Sequence, residues 1–232
     1  MTVLFLPYVK AAPMAQTIDK RTARLSLLSD PLRKNDALFL YGAHQPKPFI
    51  FTCLQDCVEV VYGPSCKPEN EIYLDRCQAS GVAVHKRRTG GGTVVLSPGM
   101  VITIIVGERW QGAYAPQVFS KIHDAMIVVL AGLGSAHIQK SGLSDLSING
   151  KKILGSSLYL QHDPFFFYYQ SSLMVASDLS LLSRYLKHPP REPRYRQGRP
   201  HGEFCVTLND AGYAFPPESI ALLFQKQLKK FL

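Results

Sequence analysis

Apolar positions recur at helical spacing along residues 117–133, where Phe119, Ile122, Met126, Val129, Leu130 and Leu133 fall on one side. The pattern predicts a helix closed by Gly132 and Gly134. The same periodicity predicts a helix over 17–30, through Ile18, Leu25 and Leu28. It predicts another from Pro217 and Glu218 through Ile220, Phe224, Leu228 and Phe231. Pro68 and Glu69 suit the first turn of a helix reaching Ser80, and Asp178 caps a short one running to Leu186. Strand-like runs lie between them: Ala37–Tyr41, Val58–Tyr62 (stopped by Gly63-Pro64), Val82–Val84 and Gln170–Val175. Two β-hairpins are expected. One joins Thr93–Leu96 to Val101–Val106 through Ser97-Pro98-Gly99. The other joins Asp145–Ile148 to Lys151–Leu160 through Asn149-Gly150, a type I′ turn signal. Residues 187–203, rich in Pro, Arg, His and Gly, read as a surface loop.

Strands arrive in hairpins, with helices between them and no regular βαβ alternation. The expectation is an α+β fold, a mixed, mainly antiparallel sheet with packed helices, in a single domain over residues 1–232 without a separate C-terminal accessory domain. The hydrophobic fraction of 46% in 232 residues supports a sizeable core. No stretch approaches the roughly 18 uncharged apolar residues of a membrane span, and Met1–Pro7 lacks the features of a signal peptide. Cys53, Cys57, Cys66, Cys77 and Cys205 form neither a CxxC pair nor a zinc-spaced set, which points to reduced thiols and a cytoplasmic setting. A net charge of +9 asks for an acidic partner or simply gives a basic solvated surface. The aromatics of Phe165–Tyr169 are not interleaved with basic residues, so nucleic acid is not the favoured partner.

Two segments carry candidate chemistry. In the first, Arg87-Arg88-Thr89-Gly90-Gly91-Gly92-Thr93, three glycines beside two guanidiniums allow backbone to approach an anion closely, or form a glycine-rich turn between strands. The second runs from Ser141 to Ser157. Its hairpin delivers Lys151 and Lys152 to the start of a strand, followed by Gly155, Ser156 and Ser157. A lysine pair after a turn is either a solvated corner or a charge aimed at an anion, and Gly155 could mark a bulge. Strand alternation puts Lys152 on the face of Leu154 and Ser156, and Lys151 on that of Ile153, without saying which face is inward.

In this order the two segments resemble the catalytic domain of the biotin/lipoate protein ligase superfamily, and more closely its lipoate–protein ligase A branch. That branch places a basic pair, a small residue and three glycines before a hairpin. Later come a strand with an Asp, an Asn-Gly turn, a Lys, a hydrophobic residue and Gly-Ser. Arg87, Arg88, Gly90, Gly91, Gly92, Asp145, Gly150, Lys152 and Gly155 stand at those places, and the weaker resemblance extends over about residues 17–210. Val61-Tyr62-Gly63 and Ser177-Asp178-Leu179 belong to it. The resemblance implies activation of lipoate by ATP to lipoyl-AMP, followed by transfer to a lysine of an acceptor lipoyl domain of the 2-oxoacid dehydrogenase E2 or glycine cleavage H protein type. It implies Lys152 as the catalytic residue. It implies substrate and nucleotide contacts from Arg87, Arg88, Thr89, Gly90, Gly91, Gly92, Thr93, Asp145, Gly155 and Ser156, with Mg²⁺ near Asp145. Leu96 and Ser97 stand where family members often carry a His or acidic residue, and Ser144 where an Asn is common. The larger ligases carry an additional domain that promotes adenylation, so a separate accessory subunit is a further expected partner.

Three other readings compete. An acyltransferase of the superfamily would move octanoyl or lipoyl between carriers through a cysteine. Residues 136–144 hold none, leaving Cys66 and Cys205 as candidates or as structural thiols. A biotin ligase would show alternating Gly and Arg in its loop, which this chain lacks. A non-catalytic module that binds lipoyl domains or a nucleotide is the third. His85 and His123 read as packed or exposed without a catalytic role. His201 sits in a basic loop that is either solvated or in contact with acceptor or ATP.

Overall fold

A six-stranded antiparallel sheet, in the order Phe49–Leu54, Met100–Glu108, Phe165–Met174, Lys151–His162, Asp145–Ile148, Ile138–Ser141, carries the fold, beside a three-stranded sheet ordered Ala83–Lys86, Glu59–Tyr62, Val94–Leu96. The computed structural model describes residues 34–110, 112–134, 137–163 and 165–232. The helix expected over 17–30 lies outside them. In chain order the elements are α1 (Lys34–Ala43), β1 (Phe49–Leu54), β2 (Glu59–Tyr62), α2 (Pro68–Glu71), α3 (Leu74–Ala79), β3 (Ala83–Lys86), β4 (Val94–Leu96) and β5 (Met100–Glu108). Then follow α4 (Ala115–Ala131), β6 (Ile138–Ser141), β7 (Asp145–Ile148), β8 (Lys151–His162), β9 (Phe165–Met174), α5 (Ser180–Tyr185), α6 (His201–Phe204) and α7 (Pro217–Gln227). The α+β class expected from the sequence is the one observed.

Alternation along the long strands divides the large sheet into two faces. Val101, Ile105, Tyr169, Leu173 and Leu154 point toward α4 and α7, and with Ile122, Met126 and Phe224 they make the principal core. The other face is covered in two places. The small sheet and α5 pack Val60, Val95 and Leu182 onto Met100 at one end; Phe39 of α1 closes on Ile104, Val106, Phe166 and Tyr168 at the other. Between the two covers the sheet stays recessed, because the residues facing outward there are small: Gly155, Ser157 and Ser172.

Three expectations are corrected. Ala37–Tyr41 belongs to helix α1 instead of a strand. Thr93–Leu96 and Val101–Val106 do not form a hairpin: β4 pairs with β2 in the small sheet, whereas β5 pairs with β1 and β9. A turn at Gly99 (φ +86°) can as well hand the chain from one sheet to the other. Residues 68–80 break into two short helices, because Ile72 and Tyr73 leave helical geometry between them. The second hairpin forms as expected, with Asn149 (φ 50°) and Gly150 (φ 73°) both left-handed, as a type I′ turn requires.

Candidate active site

Lys152 is the second residue of β8, and the strand is bulged immediately after it. Leu146 pairs with Leu154 and Ser147 with Lys152, so Ile153 is the extra residue. Ile153 and Leu154 are both fully buried in the principal core. The bulge therefore overturns simple alternation. Lys152 leaves the face of Leu154 and Ser156 and lies instead over Gly155, whose missing β-carbon makes room for its Nζ. Nζ forms an ion pair of 2.8 Å with Oδ1 of Asp145, the first residue of β7. Oδ2 of Asp145 accepts a hydrogen bond of 2.7 Å from the Tyr195 hydroxyl. Burial and the neighbouring Asp145 charge raise the Tyr195 pKa, so its hydroxyl remains a donor.

The glycine run meets this pair from the small sheet. Arg87 is buried, and its guanidinium is engaged by the run's own backbone. Nη1 donates to Val61 O at 3.2 Å, and Nη2 to Gly90 O at 3.0 Å and Gly92 O at 2.7 Å. Burial lowers its pKa to about 10, still far above neutrality. Arg87 also lines the smaller of the two hollows described below, so the loop-building role visible in these bonds stands beside the expected substrate contact. Gly91 has φ +101°, and its carbonyl occupies the space a β-carbon on Gly63 would take, so both glycines are required for the close approach. Thr89 is buried with its hydroxyl 2.8 Å from that of Ser157, and Gly90 N–H donates to Leu158 O. Arg88 is exposed, with its guanidinium 5.5 Å from the Phe39 ring centre. Thr93 donates to the buried carboxyl of Glu71 at 2.6 Å.

Two hollows meet at Lys152 and Asp145. The larger, about 630 Å³, has a basic wall from Lys187, Arg191 and Arg194, and is lined also by His201, Gly92 and Thr93. The smaller, about 180 Å³, is a slot roofed by Val61, Leu96, Gly91 and Gly92 and floored by Ile102 and Ser172. Gly92, Thr93, Asp145, Lys152 and Gly155 line both. Ser156, expected as a contact, lines the smaller hollow, and its hydroxyl donates to Ser144 O at 2.7 Å and lies 3.1 Å from Nε2 of His123. That histidine is buried on α4, and burial lowers its pKa to about 4.

The sequence left contact of His201 with acceptor or ATP open and kept Cys205 as a candidate, but it did not show that residues 187–205 wall the cavity. This stretch is a structured segment, tied down where Lys152 bridges Cys205 and accepts Val206 N–H at 2.9 Å. Tyr195 and Arg196 both pack on Phe204, which aims the Tyr195 hydroxyl at Asp145. Burial, first, together with nearby Arg196, His188 and Lys152, holds His201 near a pKa of about 4 and hence neutral. The density of arginines around Tyr195 was the available signal, but no periodicity shows which way an irregular segment folds back. Cys205 lines the larger hollow with its pKa raised by burial, which keeps it as thiol and a weak nucleophile.

The sequence matches the lipoyl protein ligase A/B catalytic domain over residues 30–227. The chain belongs to that family. It is 29% identical over 118 residues to lipoate–protein ligase 2 of Staphylococcus aureus, covering 51% of this chain and 33% of that relative. The chain thus spans about a third of the length of the curated relatives it matches. Its fold is similar to a bipartite lipoate protein ligase of Thermoplasma acidophilum, described with its E2 lipoyl domain. The TM-score is 0.69 at 23% identity over 90% of this chain and 80% of that one. A lipoate–protein ligase A structure bound with ATP gives a TM-score of 0.67 at 21% identity, over 85% and 79% of the two chains.

Proposed function

We propose that this domain is a lipoate–protein ligase that joins lipoate to ATP as lipoyl-AMP and passes the lipoyl group to a lysine of an acceptor lipoyl domain. The observation that carries the reading is the position of Lys152, whose ammonium stands where a narrow slot, with Val61, Leu96 and Ile102 in its walls, opens into a basic-walled cavity. A fatty acid with its tail in the slot brings its carboxylate to Nζ. A nucleotide among Lys187, Arg191 and Arg194 brings its α-phosphate to the same place. Two anions repel each other, and a compact cation between them offsets that repulsion and the charge of the pentavalent transition state.

In the first step a carboxylate oxygen attacks the α-phosphorus and pyrophosphate leaves. In the second the acceptor amine attacks the acyl carbon, AMP leaves with the bonding pair and the amine loses one proton. Asp145 orients Lys152, and Tyr195 in turn holds Asp145. Among the described residues no three His, Cys, Asp or Glu side chains converge on one point. Mg²⁺ commonly binds through one or two carboxylates plus substrate phosphates. Asp145 therefore fits as a single ligand to an ion carried in by ATP, which would neutralise phosphate charge when bound. The acceptor is an E2 or H protein type lipoyl domain. No helix among the described residues is long and apolar enough to cross a membrane.

The test is lipoate-dependent exchange of label between pyrophosphate and ATP, followed by mass spectrometry of an acceptor lipoyl domain. Exchange and a lipoyl mass shift are expected from the wild-type chain and neither from Lys152→Ala. A lipoylated acceptor formed by Lys152→Ala at the wild-type rate would remove the proposal.

A further inference from the structure

At the end of the slot away from Lys152, Gln55 and Glu59 present a polar lining that no part of the activation chemistry uses. Gly155, Ser172, Ile102 and Cys53 form one row across β8, β9, β5 and β1, and all four line the slot. Three inter-strand steps separate Gly155, under Lys152, from Cys53, a span of about 14 Å. Just beyond Cys53 the slot meets Gln55 and Glu59. Glu59 shares its face of β2 with Val61 in the roof. Gln55 Nε2 donates to Glu59 Oε1 at 3.0 Å and to Cys57 O at 2.9 Å. On the other side of the carboxyl, His85 Nε2 lies 3.3 Å from Glu59 Oε2. Gln55 and His85 are both buried, and His85 Nδ1 has no partner.

Resting on the ligase reading above, we infer that the Gln55–Glu59–His85 cluster is the chain-length stop of the acyl slot. It admits acids of octanoyl or lipoyl length and rejects longer ones. An acid whose carboxylate meets Lys152 runs along the row toward Cys53, and its last carbons come up against the wall. Each further methylene must either displace Glu59 from Gln55 and His85 or lie in a water-free contact with a carboxyl group. Both lose polar interactions that hydrocarbon cannot replace. Val61, Leu96 and Ile102 supply apolar contact for the tail, and the wall decides where affinity stops rising.

The test measures dissociation constants of octanoate, decanoate and dodecanoate by isothermal titration calorimetry, beside lipoate-dependent pyrophosphate exchange. For the wild-type chain, affinity is expected to fall from octanoate to dodecanoate. The double variant Glu59→Val with His85→Leu removes both polar partners together and opens the end. Its affinity should rise about fourfold for each methylene newly buried. Should the double variant not fold, Gln55→Ala removes the tip of the same wall and carries the same expectation. A wild-type chain that binds dodecanoate more tightly than octanoate overturns the inference, as does an opened variant with the wild-type profile. Octanoate binding with the expected cut-off but without lipoate-dependent exchange overturns the ligase reading and leaves the stop standing. No binding of any acid overturns both.

Discussion

Lys152 folds its ammonium back over Gly155, where a β-carbon would stand 2.8 Å from Nζ and 2.9 Å from Cε. The two residues are three apart on one strand, and the bulge at Ile153 puts them on the same face. An alanine at 155 therefore meets only the movable end of a flexible side chain. The expected outcome for Gly155→Ala is a melting temperature close to wild type with acyl transfer reduced to near the level of Lys152→Ala. Parallel thermal melts and lipoylation rates check it. Full activity in a folded Gly155→Ala protein would show that the ammonium's position over Gly155 is not the productive one.

Lys152 differs from the exposed corner a lysine pair after a turn suggests. Its side chain is 22% exposed, and its partner Asp145 only 7%. Removing the lysine leaves a buried carboxylate with Tyr195 as its remaining partner. Lys152→Ala is therefore expected to cost about 1–3 kcal/mol of stability as well as activity. Lys152→Ala with Asp145→Asn should regain stability without regaining activity, because the uncompensated charge goes but the cation stays absent. Urea denaturation of the single and double variants measures the difference. A double variant no more stable than the single one would show that the pair is not coupled.

Arg87 and Arg88 are adjacent, and the structure separates them. Arg87 spans three carbonyls of the strand end and glycine run, which a single ammonium cannot reach at once. Arg87→Lys is expected to destabilise the protein by about 1–3 kcal/mol and to weaken substrate binding through a loosened loop. Arg88→Lys, at an exposed position, should change stability by less than about 0.5 kcal/mol. Denaturation midpoints for the two variants decide between this assignment and the reverse.

What the sequence made legible is what depends on local rules. The Asn149-Gly150 hairpin needs two left-handed residues and has them, and the 115–131 helix announces itself by its apolar stripe. The strand reading of Ala37–Tyr41 failed because an apolar run of five residues fits either element. The first hairpin failed because a turn at Gly99 fixes a reversal of direction but not a partner strand. The site divided the same way. Gly92, Thr93, Asp145, Lys152 and Gly155, drawn from the two motifs, line one junction. The Lys152 face was misread because a bulge leaves no mark in the hydrophobic pattern. Tyr195 was missed because its role comes from a fold-back some 50 residues downstream of Asp145.

The buried histidine behind the site gives stability a pH dependence with a definite sign. His123 has a pKa lowered to about 4 by burial, against about 6.5 for an exposed imidazole. Between those values the unfolded chain holds a proton that the folded chain does not, so acid favours unfolding. The contribution is complete above pH 6.5 and is lost as pH falls toward 4, amounting to on the order of 3 kcal/mol in full. His201, also held near about 4, acts in the same direction. His123→Gln cannot titrate but can keep a hydrogen bond to Ser156 Oγ, now 3.1 Å from the imidazole Nε2. Urea unfolding at pH 7, 6 and 5 should therefore show a shallower decline for His123→Gln than for wild type. Identical slopes would mean that His123 takes up its proton equally in both states, and that the hydrogen bond it shares with Ser156 does not require the neutral ring.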